Sequence, residues 1–169
     1  VVQRSRSLVA SSTVRQPDHL LLLDLDSNLD LPEDQSLAAL RGQLQRDGGR
    51  YGLGILTGRS LAVARQRYGE LHLPTPQVWI SRAGTEIHFG EGLMPDRAWE
   101  QHISADWDRA SVKAVMEDLH DLLEPQTEEQ QGPWKLSYLQ RQPDASVLNH
   151  VRQRLRREGL SARPQQRCH

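Results

Sequence analysis

The stretch HLLLLDLDSNLD, His19 to Asp30, places two aspartates one residue apart directly after an apolar run. The run predicts a fully buried β-strand from Leu20 to Asp24, with Asp24 and Asp26 at its carboxyl end. In extended backbone, side chains two residues apart point to the same side, so the two carboxylates repel each other unless a cation stands between them. Mg²⁺ prefers such oxygen ligands, together with phosphate and water. The pair therefore predicts a magnesium site suited to phosphoryl transfer, in which one aspartate attacks phosphorus and the other shuttles a proton.

A second motif follows the next apolar run of the sequence. Tyr51 to Leu56 predicts another short strand, and the residues TGRS, 57–60, follow where a helix begins. The hydroxyl of Thr57 and the N–H groups of Gly58 and the helix start predict a phosphate cradle beside the first strand. Each motif also has a simpler interpretation: Asp26 begins a surface turn, and the hydroxyl residues of TGRS cap the helix. Taken together, the two strand tips favour one shared anion site.

Strands and helices must alternate to position these motifs, and the hydrophobic pattern predicts that they do. An amphipathic helix is predicted at Asp34 to Arg46, a second helix at Ser60 to Tyr68, and a third strand at Gln77 to Ser81. Strands separated by helices indicate an α/β fold with a parallel sheet. Such sheets bind their ligands at the carboxyl ends of the strands.

The sequence changes character near Gly84, where an antiparallel α+β segment is predicted. AGTEIHFG predicts a turn into a strand, and WKLSYL predicts another strand that contains Lys135 and Tyr138. Trp79 and Trp134 are predicted in strands and in the core, whereas Trp99 and Trp107 are predicted in loops, where their rings are available to stack on a ligand. The helices predicted here are Arg109 to Leu123 and the basic segment Ala145 to Arg157.

Composition limits the possible functions. The chain has 169 residues, and its 21 basic and 22 acidic residues nearly cancel, so no global field favours nucleic acid or an anionic membrane as partner. The apolar runs fall far short of the roughly 20 residues needed to span a bilayer. Cys168 is the single cysteine, which is typical of a reducing compartment such as the cytoplasm. Residues 1–17 contain arginine and serine and are interpreted as a linker; a transit peptide is the alternative.

In order along the chain, the motifs DLDSNL, LTGRS, WISRAGTEIHF and PWKLSY resemble the haloacid dehalogenase superfamily, specifically its sucrose-phosphate phosphatase type. The resemblance covers residues 19 to 160. It implies a Rossmann-like parallel core with an inserted α+β cap of the C2 type. Residues 18–83 would form the amino-terminal part of that core and residues 84–169 the cap, with the core not completed.

The resemblance also implies roles for individual residues and a cofactor. Asp24 would be the nucleophile and Asp26 the acid/base, both of them ligands of Mg²⁺. The phosphate group would be bound by Thr57, Gly58 and Asn28. In the cap, Glu86, Lys135 and Tyr138 would lie near the sugar of sucrose 6-phosphate.

Three features of the sequence depart from the family pattern. Asn28 stands where the pattern Asp-x-Asp-x-Thr has threonine, so an amide replaces a hydroxyl. The family's later lysine and Gly-Asp-x-x-x-Asp motifs are expected beyond residue 169, so we expect the 169-residue piece to be inactive alone. The Arg/Ser linker suggests the phosphatase-like domain of a sucrose-phosphate synthase, linked to a glycosyltransferase domain. Two functions therefore stay open: a magnesium-dependent sugar phosphatase, or a catalytically decayed, sugar-phosphate-binding regulatory domain.

Overall fold

The computed structural model describes residues 17–26, 35–46 and 49–165. Within them, the chain forms a five-stranded sheet of order β1-β2-β3-β4-β5 and a two-stranded sheet, β6-β7. The strands are β1 His19–Asp24, β2 Tyr51–Leu56, β3 Val78–Ser81, β4 Glu86–Phe89, β5 Met94–Pro95, β6 Leu123–Pro125 and β7 Tyr138–Gln140. The helices are α1 Gln35–Arg46, α2 Leu61–Glu70, α3 Arg97–Ser104, α4 Arg109–Glu117 and α5 Val147–Arg157.

The first three strands are parallel, and a helix lies between each consecutive pair in the chain. The predicted alternation of strand and helix is confirmed, and the helix starting after TGRS is capped by Ser60, whose side chain accepts from the backbone of Val63. Asp24 is in register with Leu56, and Leu56 with Ile80. The carboxyl ends of the three strands therefore lie at one edge of the sheet, as the fold class requires for a ligand site.

The sheet continues beyond the parallel strands. β4 pairs antiparallel with β3, and β5 pairs antiparallel with β4, so the first sheet extends to Pro95. The turn between β3 and β4 spans Arg82–Gly84. The predicted division of the chain into a core up to residue 83 and a cap from residue 84 stays a prediction.

One face of the large sheet carries the first hydrophobic cluster. Leu53, Ile55 and Trp79 project from alternate strand positions against α1 and α2, where Leu37 and Ala64 are also buried. Side chains along a strand point to opposite sides in turn. The remaining apolar side chains of these strands therefore form the opposite face of the sheet. This second face is open to solvent at several positions: Leu20 is 50% exposed, Leu22 44%, Phe89 46% and Met94 67%. The prediction that the first strand is fully buried is therefore wrong, because β1 is largely exposed.

A second hydrophobic cluster joins α4, α5 and the small sheet. Val112, Met116, Val151 and Leu155 are buried in it, and Tyr138 packs at its edge. The antiparallel pairing of β6 with β7 confirms the predicted α+β character of this half. The described residues therefore pack into two separate clusters, one against each sheet.

Several predicted elements of the second half were wrong in detail. Trp99 lies in α3 rather than in a loop, and α4 ends at Glu117, after which Leu123 begins a strand. Trp134 lies in a turn before β7, where its indole N–H donates to Ser104 Oγ over 2.7 Å. Trp107 does lie in a connecting segment, and Trp79 is a buried strand residue as predicted.

Tyr68 gives the first cluster a measurable pH dependence. Its ring meets Trp79 edge-on, its hydroxyl donates to Pro74 O, and burial raises the pKa of Tyr68 above its ordinary value. Stability from the neutral phenol is therefore complete below about pH 10 and is lost as the pH rises through the folded pKa. Between about pH 10 and 11.5, we expect the free energy of unfolding to fall more steeply in the wild type than in Tyr68→Phe, by up to about 1.4 kcal/mol per pH unit.

Urea unfolding at a series of pH values measures this difference. Tyr51→Phe is the matched control, because the Tyr51 ring is 40% exposed and lies outside the cluster. Equal alkaline slopes for Tyr68→Phe and the wild type would contradict the assignment.

Candidate active site

The first strand ends at Asp24 in a tight turn. The backbone N–H of Asp26 donates to Asp24 Oδ1 over 2.9 Å, which is the hydrogen bond of an Asx-turn. The extended backbone expected through Asp26 therefore stops two residues earlier. The turn, rather than strand alternation, sets the direction of the second carboxylate.

Both carboxylate oxygens of Asp26 accept hydrogen bonds from the tip of β2. Thr57 Oγ1 donates to Oδ1 over 2.8 Å, and the backbone N–H of Gly58 donates to Oδ2 over 2.5 Å. The hydroxyl of Thr57, which is buried, also accepts from the N–H of Arg59. The Nε of Arg59 lies 3.5 Å from Asp26 Oδ1. The two predicted motifs are thus in direct contact, and this contact joins the segments that follow β1 and β2.

The arrangement suits an anion and a metal ion. Thr57 and Gly58 present donors beside a partly exposed arginine, while Asp24 is exposed at the same edge. A carboxylate offers about four lone-pair sites, so Asp26 keeps acceptor capacity beyond its two donors. Among the described residues, no group of three or more His, Cys, Asp or Glu side chains could hold a metal. Two carboxylates still fit Mg²⁺, which is commonly bound through one or two carboxylates with phosphate and water.

Glu86 lies next to this edge, at the start of β4. Ser81 Oγ, fully buried at the end of β3, donates to Glu86 Oε2 over 3.2 Å. The Nε of Arg82 lies 2.8 Å from Glu86 Oε1. Since that nitrogen lacks hydrogen-bond alignment, the contact is an ion pair. Glu86 is therefore held in place by its neighbours on the sheet.

Lys135 reaches the same site from the second half of the chain. Its Nζ donates to Gly58 O over 3.1 Å, across 77 positions of sequence. Backbone hydrogen bonds in both directions between Gly132 and Lys135 form the turn that carries it. The indole N–H of Trp107 donates to Pro133 O within this turn.

Not every predicted residue joins this group. Tyr138 packs at the edge of the second hydrophobic cluster. The pKa of its hydroxyl is raised by burial and by Glu117, and Arg109 only partly opposes this shift. Asn28 lies outside the described residues. Ser81 and Arg82 were missed, although they stand inside the motif WISRAGTEIHF, five and four positions before the predicted site residue Glu86.

The fold is that of the haloacid dehalogenase class. The chain is 32% identical to the crystallised sucrose-phosphatase of Synechocystis, in complex with sucrose and phosphate, with a TM-score of 0.75 over 86% of this chain and 58% of that chain. A haloacid dehalogenase-like hydrolase from Bacillus subtilis, 23% identical with a TM-score of 0.52, covers 88% of this chain and 58% of its own and shares the fold.

A sequence profile for sucrose-6F-phosphate phosphohydrolase matches residues 17–169, so the chain belongs to that family. Probable sucrose-phosphatase 2 of Arabidopsis thaliana is 30% identical over 87% of this chain, and sucrose-phosphatase 1 of Nicotiana tabacum is 32% identical over 63%. The chain spans 36% of the length of the first relative and 25% of the second. No helix in the described part of the chain is long and apolar enough to cross a membrane.

The contact between Thr57 and Asp26 can be tested without any ligand. We expect Thr57→Val to lower the free energy of unfolding by about 1–3 kcal/mol, because the hydroxyl is buried and its loss leaves a carboxylate oxygen without that donor. Thr57→Ser keeps the hydroxyl and serves as the matched control. Urea denaturation measures both variants. A Thr57→Val protein as stable as Thr57→Ser would contradict the described geometry.

Proposed function

We propose that these residues belong to a Mg²⁺-dependent phosphatase that removes phosphate from sucrose 6-phosphate or a closely related sugar phosphate. The contact of Asp26 with Thr57 and Gly58 at the strand tips is the observation that carries this proposal. Membership of the family supports the substrate, since its name and the names of the similar proteins refer to sucrose phosphate or sucrose-phosphatase activity. The single cysteine supports action in the cytoplasm.

Two aspartates would perform the chemistry. A carboxylate oxygen of Asp24 attacks phosphorus, and the bond from phosphorus to the sugar oxygen breaks to give an aspartyl-phosphate. Asp26 gives a proton to the leaving oxygen and later takes one from the water that hydrolyses the intermediate. Mg²⁺, bound by Asp24 and Asp26, would neutralise charge on the phosphoryl group. The Asx-turn favours this division of roles because it leaves Asp24 exposed and directs Asp26 to the tip of β2.

Phosphate and sugar would be bound by the surrounding segments. The donors at Thr57 and Gly58, together with Asn28, would hold phosphate oxygens. Residues 84–169 would form a cap that excludes water when it closes. Lys135 supports this role, since it already reaches Gly58 from the second half of the chain. Glu86 and Tyr138 would complete the sugar side.

The chain would work as part of a larger protein, in which we propose a covalently linked glycosyltransferase domain of a sucrose-phosphate synthase. Parallel sheets in α/β proteins carry covering layers on both faces. Here one apolar face exposes leucine, phenylalanine and methionine side chains. Further polypeptide packed on this face would bury them, which supports a longer protein that contains these residues.

A second candidate is a sugar-phosphate-binding domain without catalysis. It is favoured by the way both oxygens of Asp26 accept donors from β2, which satisfies the carboxylate inside the protein. Asn28 at the family's threonine position points the same way. Such a domain would bind the ligand in the same cleft and regulate its neighbour.

Phosphate release separates the two candidates. The full-length protein is expected to release inorganic phosphate from sucrose 6-phosphate with Mg²⁺ and to lose this activity with EDTA. We expect Asp24→Asn to lower kcat by at least about 10³-fold, because an amide cannot act as the nucleophile.

Asp106→Asn is the matched control, since Asp106 is exposed in the segment between α3 and α4. Calorimetric binding of sucrose 6-phosphate without phosphate release would favour the regulatory domain. Activity that persists in Asp24→Asn would exclude the proposed nucleophile.

A further inference from the structure

Three consecutive residues between β3 and β4 have left-handed backbone. The φ angles are 48° at Arg82, 60° at Ala83 and 90° at Gly84. Glycine adopts this region readily, whereas arginine and alanine do so only where surrounding contacts impose it. Here the N–H of Arg82 donates to Arg59 O and the N–H of Ala83 to Thr57 O. The strained turn is therefore fastened to the TGRS segment of the candidate active site.

The side chain of Arg82 crosses from this turn to the second half of the chain. Its Nη1 donates to Glu129 O over 3.1 Å and also to Gln131 O. The approach is close enough that a Cβ added to Gly132 would lie 2.9 Å from Arg82 Cδ. One guanidinium thus holds the segment 128–135, which we name the lysine segment because it ends at Lys135.

The same guanidinium also faces Glu86. Its Nε lies 2.8 Å from Glu86 Oε1, while the buried Ser81 hydroxyl holds Oε2. Arginine presents its donors in a rigid planar fork, so fixing one side of the fork fixes the other. The position of the Glu86 carboxylate and that of the lysine segment are therefore coupled through one side chain.

A closed circuit of contacts results. From TGRS it runs through the strained turn to Arg82, across to the lysine segment, and back from Lys135 Nζ to Gly58 O. Within the lysine segment, the side chain of Gln131 is buried and bonds to the backbones of Gln126 and Ser137. Arg82 therefore acts on a segment that already has a defined internal structure.

We infer that Arg82 is a positioning residue that sets sugar affinity by holding Glu86 and the lysine segment against the phosphate-binding strand tips. The sugar role of Glu86 and Lys135 rests on the proposed function, whereas the coupling of the two segments through Arg82 does not. Arg82 acts through these groups, so its loss affects recognition of the sugar more than chemistry at phosphorus.

Hydrogen–deuterium exchange and steady-state kinetics of the full-length protein test this inference together. In Arg82→Ala, backbone amides of residues 126–137 are expected to exchange at least about tenfold faster, with α5 unchanged. The KM for sucrose 6-phosphate is expected to rise at least about tenfold, while kcat/KM for p-nitrophenyl phosphate, which has no sugar, changes less than about twofold. Arg82→Lys, which keeps the charge but loses the planar fork, is expected to be intermediate.

Gly132→Ala displaces the same arginine stem without removing it and should reproduce the exchange pattern if Arg82→Ala fails to fold. Arg97→Ala is the control, because Arg97 is an exposed residue of α3 paired with Glu100.

Unchanged exchange at 126–137 in Arg82→Lys and Gly132→Ala overturns the coupling, whatever the activity. Equal losses for both substrates, or faster exchange throughout the protein, overturn the positioning role in favour of a general structural one. A wild type that neither hydrolyses nor binds sucrose 6-phosphate refutes the proposed function, and the exchange result then still decides the coupling.

Discussion

The carboxylate of Asp26 holds the tips of two parallel strands together, and the site geometry depends on it. One oxygen accepts from a buried threonine hydroxyl and the other from a backbone N–H of the next segment. Hydrogen bonds to an ionised group are shorter and stronger than neutral ones, and partial burial weakens the competition from water. Hydrogen bonds to Asp26 therefore fix the segment that follows β2. The Thr57 hydroxyl and the Gly58 N–H each have one proton to donate, so a ligand that accepts from them must displace Asp26.

The site lies between two parts of the chain that are packed separately. The cluster around Ile55 stabilises the large sheet, and the cluster around Leu155 stabilises the helical second half. Between them, the contacts that reach the site are polar: the guanidinium of Arg82 on two carbonyls and the ammonium of Lys135 on a third. These few polar contacts contribute less free energy than the burial of apolar side chains within each cluster. Breaking these contacts therefore costs less free energy than unfolding either cluster.

Elements that depend on local hydrophobic periodicity could be predicted from the sequence. Features that depend on contacts between distant residues could not. Strands and helices of the first half follow from apolar spacing, and the meeting of the two motifs follows from the rule that parallel strand ends share an edge. WKLSYL has the apolar and aromatic content of a strand, yet Trp134 lies in the turn closed by the backbone hydrogen bonds between Gly132 and Lys135, and its indole donates to Ser104 Oγ, 30 positions away. The role of Arg82 could not be predicted from neighbouring residues, because its backbone is left-handed and its hydrogen-bond partners lie 47 and 49 positions along the chain.

The charges around the site argue for a cation in the proposed reaction. Asp24, Asp26 and Glu86 are acidic, and each basic side chain nearby already contacts a protein oxygen: Arg59 that of Asp26, Arg82 that of Glu86, and Lys135 that of Gly58. A phosphate monoester would add about two negative charges to this balance. Carboxylates cannot donate hydrogen bonds while ionised, so the attacking aspartate and the phosphate would repel each other at contact distance. Turning a lysine or arginine toward the phosphate would release the contact that positions a segment of the site. A divalent ion held by Asp24 would supply the missing charge without breaking those contacts, which supports the magnesium dependence proposed above.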